Sequence, residues 1–219
     1  MQTPRLAGIA DIVPLSWTAA LAFTRKDGRD RKLHAVLEWP AHLALVAGHT
    51  IVGRAFTDGR RSLVSISQSL DGGRLSALCS AVVVAAQMLL AFVATALLTR
   101  TFAAASLAML IPLLAFAPPA TRSMRPGARQ AARRLTTELA SSSEPMWIFT
   151  HLSRRLTAPA GSGLQLLLWV MSTGIPRDSR LGCTAEAEAL VPLYRRCGLE
   201  QLDGTLAMAT PTAAGALLG

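Results

Sequence analysis

Apolar positions recur at helical spacing early in the chain, shift to alternation in the middle, run unbroken for two long stretches, and then return to shorter segments. Over 7–38 the pattern predicts helix. Pro14 suits a first turn, and Leu15, Ala19, Ala20 and Phe23 fall on one side. A charged turn over 25–31 follows, and 33–39 predicts a second short helix ended by Pro40. The runs 42–47 and 50–56 predict two strands around Gly48-His49. After the turn Thr57-Asp58-Gly59, 62–67 predicts a third, so 42–67 reads as an antiparallel meander.

The strongest shift is the apolar block. Residues 75–98 carry no charge, and Gln87 is their one amide; 102–119 are again uncharged and contain Pro112. A bilayer core of about 30 Å needs roughly 20 apolar helical residues. The first run meets that length and the second is short of it. Arg54, Arg60, Arg61 and Arg74 precede the block, Arg122, Arg125, Arg129, Arg133 and Arg134 follow it, and only Arg100 lies in the connector. By the positive-inside rule both flanks face the cytoplasm. Two readings stand: a pair of membrane spans, or two Ala-rich helices packed inside a soluble cytoplasmic fold. The basic stretch 122–139 predicts a helix, with Ala128, Ala131, Ala132, Leu135 and Leu139 in step. It is either held against anionic lipid or a solvated arginine face.

After a serine-rich loop, 146–152 is β-prone, 156–163 is a turn with Pro159, Gly161 and Gly163, and 164–171 is a helix ending near Gly174 and Pro176. A strand over 180–184, a helix over 185–196 stopped by Gly198, and one more strand within 199–210 complete the order. The tail, 211–219, is built of small residues and is expected to be flexible.

Composition narrows the class. Half of the 219 residues are hydrophobic, which excludes a disordered chain. The net charge of +9 sets 22 basic residues against 13 acidic ones, and of the basic residues only Lys26 and Lys32 are lysine. These charges are scattered around an apolar block rather than interleaved with aromatics, so nucleic acid is not an expected partner. Cys79, Cys183 and Cys197 form no CxxC pair and no disulfide framework, which suits a reducing compartment, and no metal site is expected. The first residues lack the long apolar core of a signal peptide.

A glycine-containing turn that opens a helix binds anions, because free backbone N–H groups and the helix dipole point at the ligand. Gly161-Ser162-Gly163 has this form. Three stretches then resemble the GNAT superfamily of N-acetyltransferases. Trp147-Ile148-Phe149-Thr150-His151-Leu152 is similar to its fourth strand. Ala160-Gly161-Ser162-Gly163-Leu164-Gln165 is similar to the end of its pyrophosphate loop and the following helix. Leu190-Val191-Pro192-Leu193-Tyr194-Arg195-Arg196-Cys197-Gly198-Leu199 is similar to its late helix. Leu45-Val46-Ala47 and Ile51-Val52-Gly53 resemble its second and third strands more loosely. The chain departs from the family pattern at Ala158, where Arg or Gln is usual, at Ala187, where Asn is usual, and at Leu199, where Phe is usual. Arg154 and Arg155 are candidates to supply the missing charge.

The resemblance implies an α/β fold with a mixed, mostly antiparallel sheet flanked by helices, interrupted by an apolar helical hairpin between the third and fourth strands. The chain then divides into an N-terminal half (1–74), the hairpin (75–119), a basic linker (120–145), a C-terminal half carrying the acyl-CoA motif (146–210) and a tail (211–219). The implied activity is transfer of an acetyl group from acetyl-CoA to the amine of a small molecule or peptide, on the cytoplasmic side of a membrane and in contact with its lipid. Leu152, Ser153, Arg154, Gly161, Ser162, Gly163 and Leu164 are the implied cofactor-binding residues. Tyr194 stands where the family has its thiolate-protonating tyrosine, and His151 is a candidate base on the strand lining the acyl site. Glu144, Glu186 and Glu188 are further base candidates. The alternative is a degenerate family member, or a membrane-hairpin protein that binds a partner without catalysis.

Overall fold

The computed structural model describes residues 3–59, 61–68, 72–118, 126–185 and 187–211. Seven strands form one sheet: β1 (Arg5–Leu6), β2 (Ala55–Thr57), β3 (Ser62–Gln68), β4 (Met146–Arg154), β5 (Arg180–Thr184), β6 (Glu200–Gln201) and β7 (Ala207–Ala209), in the spatial order β1-β2-β3-β4-β5-β7-β6. Neighbours are antiparallel except β4 and β5, which run parallel.

Helices cover both faces. On one side lie α1 (Ile12–Thr24), α2 (Lys32–Ile51) and α6 (Pro126–Ser141). Leu15, Ala19 and Val46 pack on Ala55 and Leu63, while Ala131 and Leu135 pack on Met146, Ala207 and Ala209. On the other side, α7 (Ser162–Trp169) and α8 (Val191–Arg195) close a core of Phe56, Val64, Ile66, Phe149, Leu166, Leu167, Leu181 and Met208.

One expectation is overturned. Residues 42–51 are not strands; they continue α2, which runs through Pro40. From Ala41 to Thr50 this helix is buried almost all round, between α1, the sheet and α3 (Gly72–Thr99). A helix apolar on every side loses its 3.6-residue signature, and a short apolar run then cannot be told from a strand by periodicity. The loosely similar stretches Leu45-Val46-Ala47 and Ile51-Val52-Gly53 therefore lie at the end of α2 and the turn after it, and the meander contracts to β2 and β3. The expected late helix is also shorter. After β5 the chain is extended at Ala187, makes a single 3-10 turn over Glu188–Leu190, and forms α8 for five residues. Gly198, at φ 82°, provides the stop.

The apolar block forms α3, α4 (Phe102–Ala108) and α5 (Leu110–Leu114), between β3 and β4 in chain order. Among the described residues, one helix is long and apolar enough to cross a membrane. Arg74–Thr99 has 26 residues, and its most apolar 18-residue window has a mean hydropathy of 2.4 and contains no buried residue. At 1.5 Å per residue it is about 39 Å long. The return limb from Phe102 to Leu114 is about 20 Å, too short for a second crossing of about 30 Å. Phe92 and Phe102 hold the two limbs together edge to face, with centroids 5.7 Å apart. The base of α3 docks on α2 at Gly48, where Ser76 and Ser80 approach the bare Cα, and the Gln87 amide donates to the Pro40 carbonyl at 3.2 Å.

Candidate functional site

β4 and β5 pair over four residues only, from Met146 opposite Arg180 to Phe149 opposite Cys183. β4 then runs on to Arg154 while β5 stops at Thr184, so the two parallel strands part beyond Phe149. The split coincides with a bulge. Ser65 faces His151 and Ile66 faces Phe149, which leaves Thr150 as the extra residue. A bulge re-aims side chains. Here Thr150 meets α2 and His151 meets both α1 and α2: Thr150 Oγ1 lies 3.2 Å from His49 Nε2, and the His151 ring lies edge-on to Phe23 and His49 at 5.7 and 5.8 Å.

Three histidines thus converge at the split. His42 and His49 are buried, and His42 also stacks on Phe23 at 5.3 Å and sits 3.7 Å from the Glu38 carboxylate. Among the described residues, His42 Nδ1, His49 Nδ1, His151 Nδ1, Ser65 Oγ and Ser153 Oγ are buried without a hydrogen-bond partner. Buried polar atoms ordinarily have partners, so this concentration singles out the cluster among the interior residues. Burial, reinforced by the neighbouring His49 and His42, pushes His151 down to about 3. Burial and Arg54 push His49 down to about 4. Both imidazoles are neutral at pH 7 and offer hydrogen-bond acceptors rather than cations.

The other end of β4 leads into the glycine turn. Gly161 is left-handed (φ 81°) and caps α7, whose first ladder bond runs from the Gln165 N–H to the Gly161 carbonyl at 2.9 Å. The Gly163 and Leu164 amides precede that ladder, no side chain caps the helix, and no acid lies in its first turn. Ser162 is buried and its hydroxyl meets Ser62 Oγ at 3.1 Å. A cavity of about 510 Å³ opens beside this turn, lined by Arg61, Asp58, Pro159, Ser162, Gln165 and Trp169 among others. A second, of about 420 Å³, lies on the opposite side at His49 and Thr150. From Thr150 to Arg154 is about 13 Å of strand.

The expected site residues divide accordingly. His151 belongs to the histidine cluster, and Ser153 points to the same side of the sheet. Leu152 and Leu164 pack on the core that includes Tyr194, on the α7 and α8 side. The charges expected from the two arginines are spent internally: Arg154 donates to the Ala158 carbonyl at 3.0 Å, and Arg155 binds Thr18 Oγ1 at 2.8 Å and the Pro14 carbonyl at 3.3 Å. Arg61, on the cavity wall, is the guanidinium nearest in role. Glu144 lies before the start of β4, away from His151, Glu188 is exposed, and Glu186 lies outside the described residues. The Cys183 thiol is pushed up to about 12 and the Cys197 thiol to about 11, chiefly by burial, so neither is a thiolate at neutral pH.

His42 and His49 were missed by the sequence reading because a strand assignment scattered them. As a helix, Glu38, His42 and His49 fall one and then two turns apart on one face, and that spacing was the available signal.

No protein-family model matches the chain, and no curated protein matches it.

Proposed function

We propose that the chain is a GNAT-like N-acyltransferase that moves an acetyl group from acetyl-CoA to an amine, tethered at a membrane by its apolar hairpin. The observation that carries this reading is the parting of parallel β4 and β5 at a bulge, with the Gly161 turn at the far end of the same strand. A slot through the sheet gives an extended thioester arm a place between two strands. A helix start with unladdered amides gives its phosphates a partner. The strand order, with β7 between β5 and β6, and the position of the apolar helices after β3 support the same reading.

On this reading acetyl-CoA supplies the activated acetyl group. The Gly163 and Leu164 amides, with Arg61, hold its phosphates. Leu152 walls its arm. Neutral His151, with His49 and Thr150, accepts a hydrogen bond from the attacking amine on the other side of the sheet. Tyr194 returns a proton to the leaving sulfur. Two buried thiols that stay protonated favour direct transfer over a covalent enzyme intermediate. The hairpin anchors the domain with α3 as its deep limb, and the return limb comes back to the domain, where Phe116 meets the cavity at His49. Turnover measured as CoA thiol release with an amine panel tests the reading. Activity that His151→Gln lowers at least tenfold supports it, and a purified chain that releases no thiol with any amine and binds no acetyl-CoA overturns it.

A further inference from the structure

We infer that the acceptor amine carries a linear alkyl chain, and that the 420 Å³ cavity between α2, α3 and the β4 bulge is the pocket that holds it. This inference rests on the acyltransfer reading for its chemistry and on the cavity for its specificity.

The cavity has a polar end and an apolar end. His49 and Thr150 stand at the bulge, beside the place where β4 and β5 part. The Ser76 and Ser80 hydroxyls sit where α3 crosses Gly48. Farther along, the walls are Val84 of α3 and Phe116, from the end of the return limb. His49 and Thr150 line this end with the His49 Nε2 and Thr150 Oγ1 atoms 3.2 Å apart, so an amine entering here meets an imidazole and a hydroxyl.

The wall also identifies the occupant. Ser76, Ser80 and Val84 recur every four residues along one stripe of α3. The other sides of the same helix expose Leu75, Leu78, Val82 and Leu89. One helix is therefore both the apolar segment that suits a bilayer and the side of the pocket. A chain lying in lipid along α3 reaches Val84 and then His49 without crossing water. A polar acceptor such as a sugar or a polyamine would leave its hydroxyls or extra cations unpaired against Val84 and Phe116.

The transfer balances. The lone pair of R–NH₂ attacks the thioester carbonyl carbon, the C–N bond forms, the C–S bond breaks, and one proton passes from nitrogen to sulfur. The products are the N-alkylacetamide and CoA thiol.

The test uses the full chain in lipid nanodiscs, with primary n-alkylamines from propyl to decyl and two readouts. Binding is followed by saturation-transfer NMR, and turnover by CoA thiol release. Affinity is expected to rise about fourfold per added methylene until the pocket is full. Ala81→Trp, which places bulk in the same cavity from an exposed position of α3, is expected to flatten that dependence while acetyl-CoA binding stays at the wild-type level. Partition of the amines into lipid is common to both proteins and cancels. A chain-length slope that is identical in Ala81→Trp and wild type overturns the pocket. So does a faster turnover of spermidine than of octylamine. A slope that Ala81→Trp removes, without thiol release from any amine, keeps the pocket and overturns the acyltransfer reading.

Discussion

Gly48→Ala sets two effects of opposite sign against each other. Position 48 lies inside a 20-residue helix, where replacing glycine by alanine ordinarily stabilises by about 1 kcal/mol. At this position a Cβ would overlap Ser80 Oγ and stand 2.5 Å from the Ser76 carbonyl oxygen, about 0.9 Å inside an ordinary 3.4 Å contact. Ser80 has a side chain that can rotate away. The Ser76 carbonyl belongs to the α3 backbone, so α3 must recede. Overpacking of this kind costs about 1–3 kcal/mol, and the unyielding atom puts it at the upper end. The net expectation is a loss of about 1–2 kcal/mol, which lowers Tm by about 2–8 °C for a chain of this size. Gly127→Ala is the control: its Cβ would meet only Leu206 Cδ1, at 4.0 Å, so it should hold or raise Tm. Both are read by circular dichroism at 222 nm in one mild detergent. A Tm that rises in Gly48→Ala would refute the close docking of α3 on α2, and with it the shape of the cavity above Gly48.

The histidine cluster predicts a pH dependence of stability. The unfolded imidazoles take up protons below about pH 6.5, whereas folded His49 and His151 do so only near 4 and 3, so stability falls as pH drops from 6.5 toward 4. At about 1.4 kcal/mol per unit per group, the two together remove roughly 5 kcal/mol by pH 4.5, and urea midpoints between pH 7 and 4.5 should be nearly flat in the His49→Gln/His151→Gln double variant. Tyr194→Phe should reduce turnover by at least tenfold, and an unaltered rate returns Tyr194 to a structural role. Gly161→Val should cost about 1–2 kcal/mol through its left-handed φ of 81°, seen as a lower urea midpoint, whereas Gly163→Ala should be tolerated because its Cβ meets Arg154 Cβ and Leu152 Cδ1 only at 3.7 and 3.8 Å.

Elements in both halves were legible in the sequence, α1, β3 and α3 as well as β4, α7 and β5, whereas α2 and the short α8 were not, for a physical reason. β4, α7 and β5 are separated by Pro, Gly and Ser, and each has a distinct period or β-branched content, so 146–152, 164–171 and 180–184 fell close to the observed elements. α2 has neither signal. It carries Pro40 in its interior and is enclosed on most sides, so the breaker suggested an end and the apolar run suggested strands. The histidine cluster was hidden by the same error: His151 stood alone until α2 became a helix that brings His42 and His49 against it. The bulge at Thr150 has no sequence mark at all, since it exists only in the register between β3 and β4. The arginines after β4 illustrate the converse. Their charges were visible, but the contacts of Arg155 with α1 depend on tertiary packing.

The central claim is an acyl-CoA slot where β4 and β5 part, and the most direct measurement is the calorimetric titration of acetyl-CoA into the detergent-solubilised full chain. The account predicts micromolar binding that disappears when Gly161 and Gly163 are both changed to valine in a protein that still melts cooperatively. Absence of heat at millimolar acetyl-CoA from wild-type protein with a cooperative melt would contradict it.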